Sequence, residues 1–559
     1  MQKRNKNVVM IMCDSLQWHY MGCYGGKVKT PNFDRLAREG VVLDNVYSEG
    51  LPTIPVRRAL FTGRYTLPYR GWSPLELDDT TIADILWRYS TYTALITDTA
   101  VMHLPKYGYQ RGFDYVFNLR GHDDDNHYYA EDPLYHLKME DYHKPSMRTD
   151  ENGNEVEEMW SEFSKDEMVG YLAQRQYWKT DADQNVAQIA KQSIRFLEEA
   201  DRNKPFFLWI DSFDPHEPWD APSIYDEDLK CPYDPDYDGQ EIWNPVSTYA
   251  DNVYTDREME HIRALYSEKV TNVDKWLGKV LDKIRDLGLE KDTMVVMMSD
   301  HGEPLGNDEH GHGIVRKCRP WPYEELVHVP MIIKAEGLEA GKRSSALVQN
   351  IDITPTMMEW MDIPADACAQ MQAKSLWPLL KGEVEDIRDF LITGFFGQCW
   401  SIINKDWSYI HWLNPVALEN SEAGGKTMFE VFDIQEGEVS EGVADAQTMF
   451  DRIKAQQDNQ WTCVPGSLTE MPEKDGLFSR KDDPFQLENI IEKHPEKKWK
   501  FEQVSYNPNL TMEFIEKHPD KPWCWASISS NSGITLNDIE KLADAIDRIA
   551  TGESKVVSF

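Results

Sequence analysis

The sequence predicts an α/β protein: a large, mostly parallel sheet with helices on both faces, followed by a smaller C-terminal α+β domain with a short antiparallel sheet. Three observations carry this. Continuous apolar runs of five to seven residues recur at Val8–Met12, Tyr92–Thr97, Pro205–Ile210, Thr293–Ser299 and Val329–Ile333. They lack the polar alternation of a strand with one wet face, so they read as strands buried on both sides. Amphipathic stretches at Asn32–Arg38, Thr81–Tyr89, Ala187–Glu199 and Glu258–Leu287 separate them and read as the covering helices. After Pro378-Leu379-Leu380-Lys381-Gly382 the pattern changes. Phe390–Thr393, Cys399–Asn404, Tyr409–Leu413 and Phe429–Phe432 read as short antiparallel strands.

At 559 residues the chain exceeds what one core organises, and we read it as a catalytic domain over 1–383, a small-sheet unit over 384–484 and a helical tail over 485–559. A stretch rich in His, Asp, Tyr and Glu at about 121–164 reads as an insertion over one rim of the sheet. The tail carries a two-copy repeat: "IEKHPEKKWKFEQVSYNPNLT" from Ile491 recurs as "IEKHPDKPWCWASISSNSGIT" from Ile515, 24 residues on. Two copies are too few to stand alone, so the tail is expected to dock on the main body.

The formal charge of −37 opposes nucleic acid and anionic membranes as partners. An anionic substrate requires a local reversal of that field by Arg, Lys, His or metal. The apolar run after the basic N-terminus is short and meets Asp14, so it reads as a strand and not as an export signal. No stretch is long enough to span a membrane. The eight cysteines are scattered, which reads as reduced, mostly buried thiols in a cytoplasmic protein. A homo-oligomer is compatible with all of this.

In a parallel sheet, ligands collect at the carboxyl ends of the strands. The polar residues just after the predicted strands are Asp14, Asp98, Asp211 to His216, and Asp300-His301. Asp300 and His301, in "MMSDHGEPLGNDEHGHG", together with Asp14, offer hard and borderline ligands for one divalent cation. Thr53, in "EGLPTIPVRRALFTGRY", precedes Pro55, and Arg57 one helical turn later can reach back to it. A threonine hydroxyl beside a guanidinium and a metal is an activated nucleophile. His216, braced by prolines in "SFDPHEPWDAP", is a candidate proton donor. Lys317 and Arg319, in "VRKCRPWPYEELVHVPMII", are candidates to neutralise an anionic substrate.

These motifs resemble the sulfatase family of the alkaline-phosphatase superfamily, over about residues 7 to 490. "NVVMIMCDSLQWHYMGCYGGKVKTPNFDRLAREG" is similar to the family's opening, and "TIPVRRALFTGRY" to its Cys/Ser-x-Pro-x-Arg signature. "DPHEPW", "SDHGEPLG", "YEELVHVPMII", "VQNIDITPTMM" and "AKSLWPLLKGE" follow in the family's order. The resemblance implies that Asp14, Asp300, His301 and Thr53 hold one metal ion, with Thr53 as nucleophile and Arg57 supporting it. It places His216 near the leaving oxygen and leaves the lysine of the family pattern open between Lys317 and Arg319. Thr99 and His103, in "TDTAVMHLP", and His310 and His312 are the implied substrate-binding residues. Cys13 replaces one of two adjacent aspartates in many relatives, and His301 stands where many carry Asn. This is closer to the phosphonate monoester hydrolase and phosphodiesterase branch, with Mn²⁺ or Zn²⁺ favoured over Ca²⁺.

Threonine at position 53 has a chemical consequence. The family's Cys or Ser is oxidised to formylglycine, whose hydrate expels sulfate by re-forming an aldehyde. Threonine cannot, so no formylglycine is expected and an ester formed on Thr53 must be cleared by water in line. Phosphorus tolerates that sequence better than sulfur. The expected function is hydrolysis of small phosphate or phosphonate mono- or diesters, with Arg57 and the metal on the equatorial oxygens. Sulfate-ester hydrolysis without formylglycine is the alternative, and a non-catalytic binding protein the third reading.

Overall fold

The computed structural model describes residues 5–103, 107–122, 178–226, 228–245, 248–308, 310–317, 321–396, 398–412 and 475–493, together with Arg175 and the short strand pieces 147–149, 155–157, 499–500 and 557–558. Eight strands form the main sheet: β1 (Asn7–Cys13), β2 (Val41–Tyr47), β3 (Tyr92–Thr97), β4 (Tyr115–Asn118), β5 (Phe206–Ser212), β6 (Thr293–Ser299), β7 (His328–Lys334) and β8 (Lys342–Gln349). Their spatial order is β8-β2-β7-β6-β1-β5-β3-β4. β7 runs antiparallel to both neighbours, and the other pairings are parallel. The reversal has a simple origin. The chain leaves β6 at its carboxyl end and enters β7 from that same rim, so residues 300–327 stay at the edge where ligands collect.

The five strands expected from apolar runs are all present. β2 and β8 escaped that criterion because polar residues interrupt them, Asp44 and Asn45 in β2 and Arg343 to Ser345 in the half-exposed start of β8, and β4 escaped it because it is only four residues long. Along β1, Val8, Met10 and Met12 enter one buried cluster, whereas Val9, Ile11 and Cys13 enter the other. This is the period-two alternation of a strand buried on both faces. Each such side chain stabilises the fold by about 1.5–3 kcal/mol.

Helices α1 (Pro31–Glu39), α4 (Asn185–Glu199) and α5 (Asp256–Asp286) cover the Val9 face through Phe33, Ile189 and Leu265. Helices α2 (Thr53–Thr62), α3 (Ile82–Arg88) and α6 (Ile353–Trp360) cover the other through Leu60, Ile85 and Met357. Capping boxes start two of the predicted helices, Thr81 with Asp84 and Thr255 with Glu258. α2 stops at Gly63, whose φ of +66° lets its N–H reach the Ala59 carbonyl at 2.8 Å. A side chain there would be strained and would meet Met371, which accounts for the glycine of "FTGRY".

The second sheet is an antiparallel meander of β9 (Phe390–Phe395), β10 (Cys399–Asn404), β11 (Trp407–Trp412) and β12 (Gly476–Ser479). Its fourth strand is Gly476–Ser479; the expected Phe429–Phe432 lies outside the described residues, as do most of the 121–164 insertion and of the two-copy repeat. The sheet buttresses the start of α2: the Leu51 N–H donates to the Gly394 carbonyl at 3.0 Å. Among the described residues no helix is long and apolar enough to cross a membrane. Cys13, Cys231 and Cys399 are buried free thiols, and Cys23 and Cys368 are half-buried ones.

Candidate active site

The carboxyl ends of β1, β5 and β6 bring together residues distant in sequence. β1 lies between the other two, with Cys13 in register with Ser212 and Ser299, so Asp14 and Asp300 emerge side by side. Ser15 fixes both: its hydroxyl donates to Asp14 Oδ1 at 3.0 Å and its N–H to Asp300 Oδ1 at 3.1 Å. The His301 Nδ1–H donates to the Gly302 carbonyl at 2.8 Å, which leaves the Nε2 lone pair facing the cluster. Nε2 lies 3.7 Å from Asp14 Oδ1, 3.5 Å from Asp300 Oδ2 and 3.3 Å from the Thr53 hydroxyl, which donates to it. Thr53, Asp14, Asp300 and His301 are all buried.

Arg57 holds this group from behind. Its Nε and Nη2 form a fork on Asp211 at 3.1 and 2.6 Å. Nη2 also donates to Asp14 at 3.0 Å, and Nη1 to Asp300 at 2.7 Å and to the Thr53 carbonyl at 3.2 Å. A guanidinium has five N–H donors, and these bonds use all of them. Arg57 therefore supports the Thr53 backbone and the two carboxylates, and no N–H remains for the equatorial oxygens of a substrate. That corrects its expected contact with the substrate. Asp211 is held in turn by the Thr99 hydroxyl at 2.7 Å and the Trp209 indole N–H at 2.9 Å.

Three carboxylates around one guanidinium leave two negative charges in a dry site. Burial, together with the charge of Asp300, pushes the Asp14 carboxyl well above its ordinary range. Burial opposes Asp300 ionisation too, but His301 and Arg57 outweigh it and hold that carboxyl low. Burial lowers His301, keeping the imidazole neutral. The uncompensated charge, the Nε2 lone pair, which would exchange the Thr53 hydroxyl for the ion on binding, and the mutual reach of the ligand atoms, within 4.8 Å, fit a divalent ion held by Asp14, Asp300 and His301. Cys13, which precedes Asp14, turns into the apolar core.

A second charged group faces this one. The His216 Nδ1–H donates to the Glu217 carbonyl at 2.6 Å, and its Nε2 accepts from the Lys317 ammonium. Lys317 also donates to both Glu217 oxygens, at 3.1 and 3.0 Å, and lies 3.8 Å from Glu303. Burial pushes the His216 imidazole well below its usual range, so the proton of this pair rests on Lys317. Burial and the neighbouring Glu217 raise Glu303 to about 8. Lys317 acts electrostatically on both Asp14 and His301.

The structure thus gathers Asp14, Thr53, Arg57, Asp300 and His301, with His216 and Lys317 opposite. Arg319 lies outside the described residues. Thr99 spends its hydroxyl proton on Asp211 and so backs the arginine clamp. His310 stacks on Phe485 at 3.8 Å, and His312 stacks on Tyr323 at 3.7 Å and bonds the Gln486 carbonyl at 2.9 Å. These contacts join the rim to the C-terminal segment. The His103 carbonyl accepts from Gln110 at 2.8 Å. Residues given no separate role by the sequence reading are Ser15, Asp211, Glu217 and Glu303. Asp211 carried a usable signal, since it ends a strand beside β1 as Asp300 does.

A parallel sheet presenting a buried hydroxyl, two carboxylates and an imidazole at its strand ends defines an ester hydrolase of the alkaline-phosphatase superfamily. The chain belongs to the sulfatase family, whose profile matches residues 6–363. The profile of the N-sulphoglucosamine sulphohydrolase C-terminal region matches residues 311–418. The chain is 25% identical over 502 residues to an N-acetylglucosamine-6-O-sulfatase of Bacteroides thetaiotaomicron, covering 74% of this chain and 80% of that one. It is 27% identical over 429 residues to the multifunctional alkaline phosphatase superfamily protein PehA of Trinickia caryophylli, covering 68% and 79%. The phosphonate monoester hydrolase of Agrobacterium radiobacter shares the fold with a TM-score of 0.54 at 19% identity, over 85% of this chain and 99% of that one. A structure solved in complex with its substrate D-glucosamine-2-N,6-O-disulfate does so with a TM-score of 0.55 at 18% identity, over 95% and 99%.

Proposed function

We propose that the protein hydrolyses small phosphate or phosphonate esters, diesters included, with Thr53 as the nucleophile. The observation that carries this reading is the Thr53 hydroxyl donating to His301 Nε2 inside the Asp14–Asp300 group. It occupies the nucleophile's place with a side chain that cannot become an aldehyde. When bound, a divalent ion of Mn²⁺, Zn²⁺ or Ca²⁺ type, which Asp14, Asp300 and His301 would hold, would supply Lewis-acid charge that favours loss of the hydroxyl proton.

The protein's own groups then have separable tasks. Thr53 Oγ1, its proton already released to solvent, attacks phosphorus in line as the alkoxide, and the bond to the leaving oxygen breaks. Lys317, held by His216 and Glu217, gives the departing alkoxide a proton. The neutral amine takes a proton back as water attacks phosphorus and releases Thr53. Arg57 keeps Thr53, Asp14 and Asp300 in place throughout. His216 positions Lys317 by accepting its hydrogen bond.

The alternative, sulfate as the transferred group, draws support from the N-acetylglucosamine-6-O-sulfatase among the relatives. Purified enzyme assayed on bis(nitrophenyl) phosphate, a nitrophenyl phosphonate and nitrophenyl sulfate separates the two. Turnover of the phosphorus esters, with Thr53→Ala down by about 10³-fold or more, is the expected outcome. Turnover of the sulfate alone would reverse the choice. Mass spectrometry of a trapped intermediate would place the phosphoryl group on Thr53.

A further inference from the structure

A second cluster of metal-ligand type lies just behind the arginine clamp. Asp98 follows β3, Asp214 follows β5, and His122 stands beyond β4; all are buried. The Asp98 N–H donates to the Asp211 carbonyl at 3.3 Å and Asp98 Oδ1 accepts from the Phe213 N–H at 2.8 Å, tying the cluster to the strand end that grips Arg57. The His122 ring packs against Phe213 with centroids 5.0 Å apart. Asp98 Oδ2 points toward His122, is buried and receives no hydrogen bond from the described residues.

Spacing separates this group from an ordinary hydrogen-bonded triad. His122 Nε2 lies 3.4 Å from Asp98 Oδ2 and 3.8 Å from Asp214 Oδ1. Charge-assisted hydrogen bonds close to about 2.7–2.9 Å. Ligands about 2.0–2.2 Å from one ion at near-tetrahedral angles stand roughly 3.3–3.6 Å apart. The molecule supplies its own reference, because His301 Nε2 keeps 3.5 and 3.7 Å from its two carboxylates in the catalytic group.

The neighbouring cations do not fill the place. Lys269 lies 2.7 Å from Asp214 Oδ1 and also bonds Asp220 at 2.5 Å, while Arg175 pairs with Asp220. Among the described residues, these two cations pair with Asp214 and Asp220, and neither is paired with Asp98. A ligand oxygen shared with a buried cation is no obstacle in this protein: Asp300 Oδ2 is bonded by Arg57 at 2.7 Å and faces His301 as well.

We propose that Asp98, His122 and Asp214 form a second divalent-cation site. One imidazole and two carboxylates suit zinc or manganese. An ion there stiffens the ends of β3 and β5, and through Asp211 the clamp on Arg57.

The test is metal stoichiometry of the full chain, stripped with chelator, reloaded with Zn²⁺ and freed of excess by gel filtration. About two zinc ions per chain are expected, falling to about one in Asp98→Asn and in His122→Gln, and also to about one in Asp300→Asn. Crystals of the wild-type chain grown with Zn²⁺ guard against misfolded variants: an anomalous peak at the zinc edge is expected between the three side chains. One zinc in the wild type, an unchanged count in Asp98→Asn, or no anomalous peak between Asp98 and His122 overturns the proposal. Loss of the count in Asp300→Asn alone reports on the catalytic group and leaves ester preference to the assays above.

Discussion

The arginine centre and the lysine centre serve the same proposed reaction, and their electrostatics are opposite in kind. Arg57 is fully buried with all five donors bonded, four of them to three carboxylates that arrive from three different strands. Its fork fits Asp211 bidentately, and nothing in its surroundings gains by its moving. Lys317 is a compact ammonium shared among an imidazole, Glu217 at 3.0 Å and, more loosely, Glu303 at 3.8 Å. Such a charge can hand over a proton and recover it, because its neighbours stabilise both states. One cation serves as architecture and the other as chemistry, and the choice of Arg or Lys at each place follows from that division.

The largest effect should come from exchanging the architecture's fork for a point charge. Arg57→Lys keeps the charge but offers three donors on a shorter reach, so Asp211, Asp14 and Asp300 cannot all be satisfied. Breaking a buried ion network of this kind costs about 3–5 kcal/mol. We expect kcat/KM to fall by about 10³-fold or more and the melting temperature to drop with it. A variant within tenfold of wild-type activity, at unchanged melting temperature, would show that the clamp is not needed and would erase the contrast between the two centres.

That contrast was half visible in the sequence. Asp14, Asp300 and His301 were legible because each follows an apolar run that could only be a buried strand. Thr53 was legible because Pro55 and Arg57 mark the first turn of a helix. The target of Arg57 was not: the i, i+4 spacing pointed to the Thr53 hydroxyl, whereas the guanidinium takes the Thr53 carbonyl and three carboxylates. Two of those, Asp211 and Asp300, are 154 and 243 residues away, and only the sheet order brings them near. Lys317 reaches His216 and Glu217 for the same reason, by way of the rim segment that returns from β6 to β7. Local spacing predicts local partners, and the tertiary ones belong to topology.

A smaller and more selective effect is expected at the lysine centre. Lys317→Met removes the proton donor but leaves the Arg57 clamp intact, so its cost depends on how badly the leaving group needs a proton. With an alkyl leaving group we expect kcat/KM down by about 10²–10⁴-fold, and with nitrophenolate, which departs unprotonated, by less than about tenfold. A plot of log kcat/KM against leaving-group pKa should steepen in the variant. Parallel lines for the two enzymes would move Lys317 from proton transfer to simple anion binding.

The smallest effect concerns a buried carboxyl whose hydrogen bonds come from backbone amides. Glu49, four residues ahead of Thr53, accepts from the Thr66 and Leu67 N–H groups at 3.0 Å and so ties the turn after α2 to the segment before it. Burial outweighs these bonds and pushes its carboxyl up to about 7, whereas a free glutamate titrates near 4.3. Between those values the folded chain keeps a proton that the unfolded chain has lost. Stability from this group is therefore full at low pH, declines as pH rises through about 4.3 to 7, and is flat above. The decline amounts to about 4 kcal/mol. Urea unfolding at a series of pH values should show that slope in the wild type, superimposed on other titrations, and a shallower one in Glu49→Gln, whose amide stays neutral. If the two profiles are parallel, the backbone amides together with the charge of Arg58 hold Glu49 ionised after all, and burial alone does not set its proton.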